Sequence, residues 1–571
     1  MRWSRLFIVL AAALLPVTLP AGRMLRLRPP LRADHDQSPI AEPKQRDVSE
    51  SYAIVYNSWL RHLSPEYKAS RAADPGALNA NAWDEVPDSS WFAARIGLRS
   101  RTFAEIEAGL NATGAGPSPG SWTVTKIGDE GYTPKIDIID PQGRKYVLKF
   151  DLPSAIERNS AAERICTLIL HAAGYNVPHN SIAYFRREDL KLGADAKYSN
   201  AIGKKEPLTL PIFEAMMQKL KPLPDGRYRG LASLNLSHAG KPVGRFVYAG
   251  RRKDDSNDLI PHELRRELRG FRVIASWINH VDVGDKNALD VFVTLKEKRG
   301  FLRHYLLDFG SAMGSGDFVN GPYRVGHEYI FDGPAIGRSF VTLGIWRRPW
   351  DVQGEIRYPE AGYFQAELFD PPVWKPNYPN LAFERMDESD AYWGAKIVTA
   401  FSDDTILRLV QAGEYTRAEV TQYVADVLKK RRDAIGRYWL ARVTPLEDFA
   451  LAREGANYRL SFRDLALERG YERAENRVCR FWLESPDGKR LTAVQEAPAG
   501  RQYLDFAGDV PLKTGGSGIK PDRYGRTPAA RLLIQARGRG SEQALPVEVV
   551  LGYQDNRTQL EVLGWYHAPR R

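Results

Sequence analysis

Cysteine is nearly absent from this chain: two residues, Cys166 and Cys479, in 571. Two thiols so far apart exclude a disulfide-rich scaffold and any cysteine-based metal motif. We expect both to be buried; a single bridge between them is the alternative. Long apolar runs are as scarce. Beyond the N-terminus no stretch reaches the roughly 20 apolar residues that a spanning helix needs. No internal repeat is found. An excess of negative charge is missing too. Lys and Arg number 81 against 70 Asp and Glu, a net charge of +11 and a pI near 9.3. That balance favours anionic partners such as phosphates, nucleic acid, acidic lipid or acidic glycans, without choosing among them. No specific nucleic-acid motif accompanies it. The longest basic cluster, Lys429-Lys430-Arg431-Arg432, falls on an expected helix and reads as a solvated face.

What is present is the composition of a soluble globular protein, 43% hydrophobic and 26% charged. The length exceeds one ordinary core and implies two to four domains. At the start, Arg2 and Arg5 precede an apolar run from Leu6 to Leu19, the layout of a secretory signal. Residues 1–22 therefore read as a signal peptide or an N-terminal membrane anchor. Ala21 could sit at the cut, with Leu19 bulky where a small residue is preferred, so an uncleaved anchor stays open. Either way the rest is expected to be exported: periplasmic, extracellular or membrane-anchored.

Residues 23–119 read as a linker and a helical, aromatic extension. It contains a helix over 51–63 and a turn-rich aromatic patch, Trp83 to Phe92, expected to pack against a neighbouring lobe. From Trp122 the pattern turns to strands: 122–126, 135–139 and 145–150, joined by Gly128-Asp129-Glu130-Gly131 and Asp140-Pro141-Gln142-Gly143, form an antiparallel meander. A helix over about 155–173 follows, with Ser154 and Glu157 as its capping box and Gly174 as its stop. Residues 177–186 return to a strand. An apolar stripe predicts a helix over 261–279, then strands at 288–295 and 301–307. Residues 311–400 show little periodicity. Helices over 403–412 and 417–441 come next, the second opened by Thr416 and Glu419. After about 445 the signal becomes strand-like (458–462, 478–483, 547–552), which predicts a separate all-β domain, a sandwich, over 446–571.

Phosphoryl transfer needs a cation on the phosphates, oxygen ligands for Mg²⁺ and a carboxylate to orient the attacking hydroxyl. Lys149 sits in the apolar strand Tyr146-Val147-Leu148-Lys149-Phe150, behind the turn containing Gly128 and Gly131. Taken alone it reads equally as an edge-strand lysine. Glu163 is on the next helix. Asp282 and Asn287, five residues apart, follow the long apolar helix, with Asp285 between them as a reserve for either role. Their other reading is a polar turn. Asp308-Phe309-Gly310 ends the hairpin that begins directly after Asn287, where a carboxylate is well placed for Mg²⁺.

The order strand-Lys, helix-Glu, His280-x-Asp282-x4-Asn287, hairpin, Asp308-Phe309-Gly310 resembles the protein-kinase-like superfamily over residues 120–445. It looks closer to spore-coat kinases, HipA-type kinases and phosphatidylinositol 4-kinases than to typical eukaryotic kinases. The resemblance implies an α+β fold, a bilobal kinase-like domain ahead of the β domain. It implies ATP and Mg²⁺ as cofactors. Lys149 would hold phosphates, Glu163 would orient it, Asp282 would be the base, and Asn287 and Asp308 would ligate the metal. Gly128 and Gly131 would belong to the nucleotide loop. The sequence departs from the pattern in three places: it lacks a full Gly-x-Gly-x-x-Gly, a lysine two residues after Asp282 (Lys286 is nearest) and an Ala-Pro-Glu. The activity implied is an exported ATP-dependent phosphotransferase acting on an unnamed protein, lipid or glycan hydroxyl. Two alternatives stand beside it: a pseudokinase or nucleotidyl transferase on the same fold, and a non-catalytic envelope binding protein.

Overall fold

The computed structural model describes residues 25 and 27–567 apart from 73, 129–133, 201–202, 317–321, 353–355, 509–520, 539–543 and 556–558. The expected signal segment and Gly131 therefore lie outside the described residues. The chain is mixed α/β, with four sheets among the described residues. Among the described residues no helix is long and apolar enough to cross a membrane.

The expected meander forms the middle of a larger sheet. Trp122–Gly128, Lys135–Ile139 and Lys145–Lys149 pair antiparallel. Tyr228–Leu234 and Asn180–Phe185 extend one side, Leu190–Ser199 and Lys205–Pro207 the other, for seven strands in all. Alternation along Lys145–Lys149 sends Tyr146 and Leu148 into a core with Phe213, Met216 and Met217. Lys149 therefore points to the opposite face, where the helix Arg158–Ala173 lies with nearly every residue buried.

That helix belongs to a second, larger core with the Phe271–Trp277, Glu388–Thr399, Asp403–Gln411 and Ala418–Arg442 helices. A short sheet beside it holds the hairpin Ala288–Lys296 and Arg299–Leu306. Beyond Leu446, a three-stranded and a five-stranded antiparallel sheet share one buried cluster that includes Leu460, Leu504, Leu532 and Val549. Both cysteines are buried free thiols.

Several local expectations need correction. Ser154 and Glu157 do not cap the helix that starts at Arg158. Asp151 takes the Ser160 amide and hydroxyl, at 2.8 and 2.6 Å, and so does that work. Glu157, at φ 81°, turns away to accept from the Thr416 amide at 3.1 Å and from its hydroxyl. The second expected box, Thr416 with Glu419, fails for the same reason: Thr416 is spent on Glu157, and the helix begins at Ala418. The helix expected from Pro261 begins at Arg266, because Arg265 is extended. The helix expected over 51–63 is divided into Glu50–Ser58 and a tight turn at Leu60–Leu63. Of the basic cluster, Arg431 is not solvated. It is buried, donates to the carbonyls of Trp277, Ser276 and Gln365, and lies 3.8 Å over the Phe369 ring.

The aromatic patch 83–92 packs on two sides. Trp83 meets Trp565 at 5.2 Å between ring centroids, while Trp91 and Phe92 enter the helical core. Leu25 and Leu27 pack against Val550, Leu563 and Tyr566. One face of the C-terminal sheets is thus finished by the N-terminal end of the chain.

Candidate active site

Three elements distant in sequence meet at Lys149. Its Nζ lies 2.6 Å from Glu163 Oε1 and 3.2 Å from Asp308 Oδ1. Glu163 is fixed on its helix by packing. Asn180 is within 3.4 Å of the same carboxylate oxygen and donates to Thr167 at 2.9 Å. Asp308 stands at φ 58°, in the left-handed region, which turns its carboxylate off the end of the hairpin toward the lysine. Phe309 is buried, its ring edge-on to His280 at 5.5 Å. Gly310 is tightly placed: a Cβ there would sit 3.2 Å from Glu163 Oε2, which would have to shift by a few tenths of an ångström. Its carbonyl accepts from Asn159 at 2.7 Å.

The charges are set by contact. Lys149 holds the Asp308 carboxyl down to about 2, with Lys135 adding to the effect. Burial pushes the Glu163 carboxyl up, and Lys149 opposes it. The two carboxylates in turn raise the Lys149 ammonium against its own burial. Lys149 between two carboxylates, with Lys135 acting on both, makes a compact charged cluster.

Asp282 and Asn287 lie on one turn. Asn287 Nδ2 donates to the Asp282 carbonyl at 2.8 Å, and its own carbonyl accepts from Leu307 at 2.9 Å. These two bonds tie the Asp282 turn to the residue preceding Asp308. Lys286 Nζ is 3.5 Å from Asp282 Oδ1, so the lysine that the sequence places four residues on reaches the same carboxylate. Asp285 accepts from the Tyr248 amide at 3.1 Å and lines the same cleft as Asp282; burial raises it to about 6.

A cleft of about 320 Å³ opens beside this turn, lined by Arg46, Tyr52, Tyr56, Tyr248, Asp282 and Lys286 among others. It is large enough for a small acceptor group, and Asp282 is part of its wall. Gly128 ends the first meander strand, in register with Lys135, which stands directly opposite Lys149 on the neighbouring strand. Among the described residues no group of three or more His, Cys, Asp or Glu is arranged to hold a metal. The oxygens of Asn287 and Asp308 suit a hard cation that also takes phosphate and water, as Mg²⁺ does.

Sequence reasoning missed four contributors. Asn180 supports Glu163, Lys135 adds positive charge through strand register, and Asp151 caps the Glu163 helix. Arg245 donates to the Ala288 carbonyl at 3.1 Å; burial pushes its guanidinium down while Asp308 holds it up. None carries a spacing signal, since each arrives by tertiary contact.

His280 gives a direct test of this packing. Burial lowers its imidazole to about 4, and its Nδ1 has no hydrogen-bond partner among the described residues. Its NMR resonances are expected to stay those of the neutral ring from pH 7 down to about 5. Titration near the ordinary value of about 6.5 would mean that the ring is not packed under Phe309.

No protein-family model and no curated protein sequence matches this chain. Solved structures similar to it include the following two. One is described as the Golgi casein kinase, 10% identical, with a TM-score of 0.24 over 59% of this chain and 78% of that one. The other is the Golgi casein kinase with Mn/ADP bound, 10% identical, with a TM-score of 0.23 over 70% and 98%. Likeness at this level fixes nothing about the chemistry of this chain.

Proposed function

We propose that this chain is an exported, ATP-dependent phosphotransferase of protein-kinase-like fold, with residues 120–445 as the catalytic domain and 446–571 as a β-sandwich. The observation that carries the reading is the convergence of Lys149, Glu163 and Asp308, three side chains predicted from separate motifs, at 2.6 and 3.2 Å. A structural ion pair would need one carboxylate; two on one lysine, the second with its side chain 43% exposed, point to a ligand site.

In this reading Lys149 holds the α- and β-phosphates of ATP, and Glu163 keeps the ammonium aimed at them. Lys135 adds positive charge on the neighbouring strand. Asp308, ionised at all physiological pH, and the amide oxygen of Asn287 would hold Mg²⁺. That ion would neutralise charge on the transferring phosphate. An acceptor hydroxyl enters by the cleft beside residues 282–286. Asp282 accepts its hydrogen bond and orients it in line, while Lys286, 3.5 Å away, helps hold that carboxylate in place. The acceptor is a protein, lipid or glycan hydroxyl, and the site of action is the periplasm or cell exterior.

Titration calorimetry on the chain from Arg23 onward tests the first half of this reading. ATP is expected to bind only with a divalent cation present. Asp308→Ala should weaken binding by about tenfold or more, because a charged ligand is lost from the metal–phosphate cluster. Absence of heat with either Mg²⁺ or Mn²⁺ would count against nucleotide chemistry of any kind here.

A further inference from the structure

Residues 331–345 present an apolar surface that the other described residues leave uncovered. The helix Gly333–Val341 starts cleanly, with Asp332 accepting from the Ala335 amide at 3.1 Å and Pro334 in the first turn. Only Ala335 on this helix is buried. Phe340, Val341, Leu343 and Ile345 are 81, 82, 88 and 81% exposed, and Phe331 and Ile336 are each half exposed. Together these side chains offer apolar area on the order of 700 Å², above the usual largest patch of a soluble monomer. Leu343, moreover, sits at φ 50°. A branched residue enters that region at a cost, and at 88% exposure no packing offsets it.

The exposed charge along residues 323–350 has one sign, with Asp351 following directly. Within residues 323–350 the only acids are Glu328 and Asp332, both buried, the first paired with Arg348 and the second with Lys375 at 2.5 Å. Arg338 and Arg347 are exposed. Trp346 lies under two guanidinium groups, Arg338 at 5.0 Å and Arg348 at 5.2 Å from its ring centroid. Apolar residues on one side, arginines at the rim and a tryptophan between them make up the pattern of a helix lying in a lipid interface. Trp346 is of the type that favours the headgroup level.

We infer that residues 331–347 form a monotopic docking surface for an anionic lipid bilayer. Phe340, Val341, Leu343 and Ile345 enter the acyl boundary, and Arg338 and Arg347 meet acidic headgroups. A second copy of the chain fits this face less well, because a symmetric contact would bring like-charged arginines together. The inference is independent of the phosphotransfer reading.

The experiment is vesicle flotation with phosphatidylcholine alone and with added phosphatidylglycerol. It uses the chain from Arg23 onward, which retains every described residue and removes the apolar leader as a competing anchor. The parent is expected to float with the anionic vesicles and to be released by about 1 M salt to the weaker, charge-independent level. Phe340→Ser with Leu343→Ser should cut partitioning about tenfold or more. Both positions are exposed, so circular dichroism should be unchanged. Arg338→Glu with Arg347→Glu should abolish the preference for anionic vesicles. Equal flotation of the serine pair and the parent would overturn the inference. So would a parent that ignores vesicles but forms a dimer in light scattering that the serine pair loses, since this would assign the face to a second copy.

Discussion

Asp282→Ala is expected to abolish phosphoryl transfer while leaving ATP affinity nearly unchanged. The carboxylate lies in the wall of the cleft beside residues 282–286, whose lining does not include Lys149, Glu163 or Asp308, the three charges that the proposed reading turns toward the phosphates. A group that orients an attacking hydroxyl acts mainly in the transition state, so its loss falls on turnover. Such roles are worth about 10²–10⁴ in rate. Lys149→Ala should differ by weakening nucleotide binding as well. Radiolabelled transfer, first as autophosphorylation and then onto envelope extracts, separates the two. Full activity in Asp282→Ala would remove the assignment. The natural substitute, Asp285, is already committed to the Tyr248 amide. Tight ATP binding by a parent that transfers nothing would favour the pseudokinase alternative.

Asp84→Ala is expected to produce the largest loss of stability. Asp84 is buried at φ 54° and its carboxylate takes four hydrogen bonds from three distant parts of the chain. Its Oδ1 is 2.6 Å from Arg266 Nη1 and from Arg28 Nη1, and its Oδ2 is 2.9 Å from both the amide and Nδ1 of His567. Arg266, equally buried, also reaches Ser389 at 2.7 Å and Asp390 at 3.3 Å. Removing the carboxylate leaves a buried guanidinium short of a partner, for which about 3–5 kcal/mol is typical. Urea unfolding should show the midpoint falling by that equivalent. It should also show the sheets beyond Leu446 melting ahead of the helical core, because Asp84 is where His567 meets Arg266.

The pH dependence follows from sign. Arg266, His567 and Arg28 hold the Asp84 carboxyl well below its ordinary value although burial opposes them. The unfolded chain therefore takes up this proton first as pH falls. Asp84 stabilises fully above the unfolded value of about 3.9, and its contribution is lost progressively below that. In Asp84→Ala that part of the acid sensitivity should disappear. Acid titration monitored by circular dichroism would show no change of slope if the ion cluster were not formed.

Much of the candidate site could be read from sequence because its parts are local motifs in a fixed order. A lysine in a strand otherwise made of Tyr, Val, Leu and Phe must leave the apolar face, and alternation fixes which side it leaves by. A glycine after Asp308-Phe309 allows the chain to pass close to Glu163, where a Cβ would press on its carboxylate, so the tripeptide carries information about packing. The helix caps did not work this way. Ser154, Glu157, Thr416 and Glu419 satisfy two local rules, yet Glu157 and Thr416 bond to each other across 259 residues, and Asp151 takes over. The Glu388–Thr399 helix escaped notice for a different reason. It is buried over almost its whole length, so it has no polar face to mark the helical period.

The order of the chemical groups, the strand and helix that carry Lys149 and Glu163, and the shift to strands after 445 follow from sequence alone. Each depends on neighbours within a few turns of chain, where spacing and side-chain type suffice. Tertiary structure alone decided what lies between distant segments. It brought Lys135 and Arg245 toward Asp308, put Lys286 on Asp282 and buried Arg431. It also completed the C-terminal sheets with Leu25, Leu27 and Trp83 from the other end of the chain. Such contacts are selected by which buried charges and apolar faces find partners in three dimensions, and no periodicity along the chain records that selection.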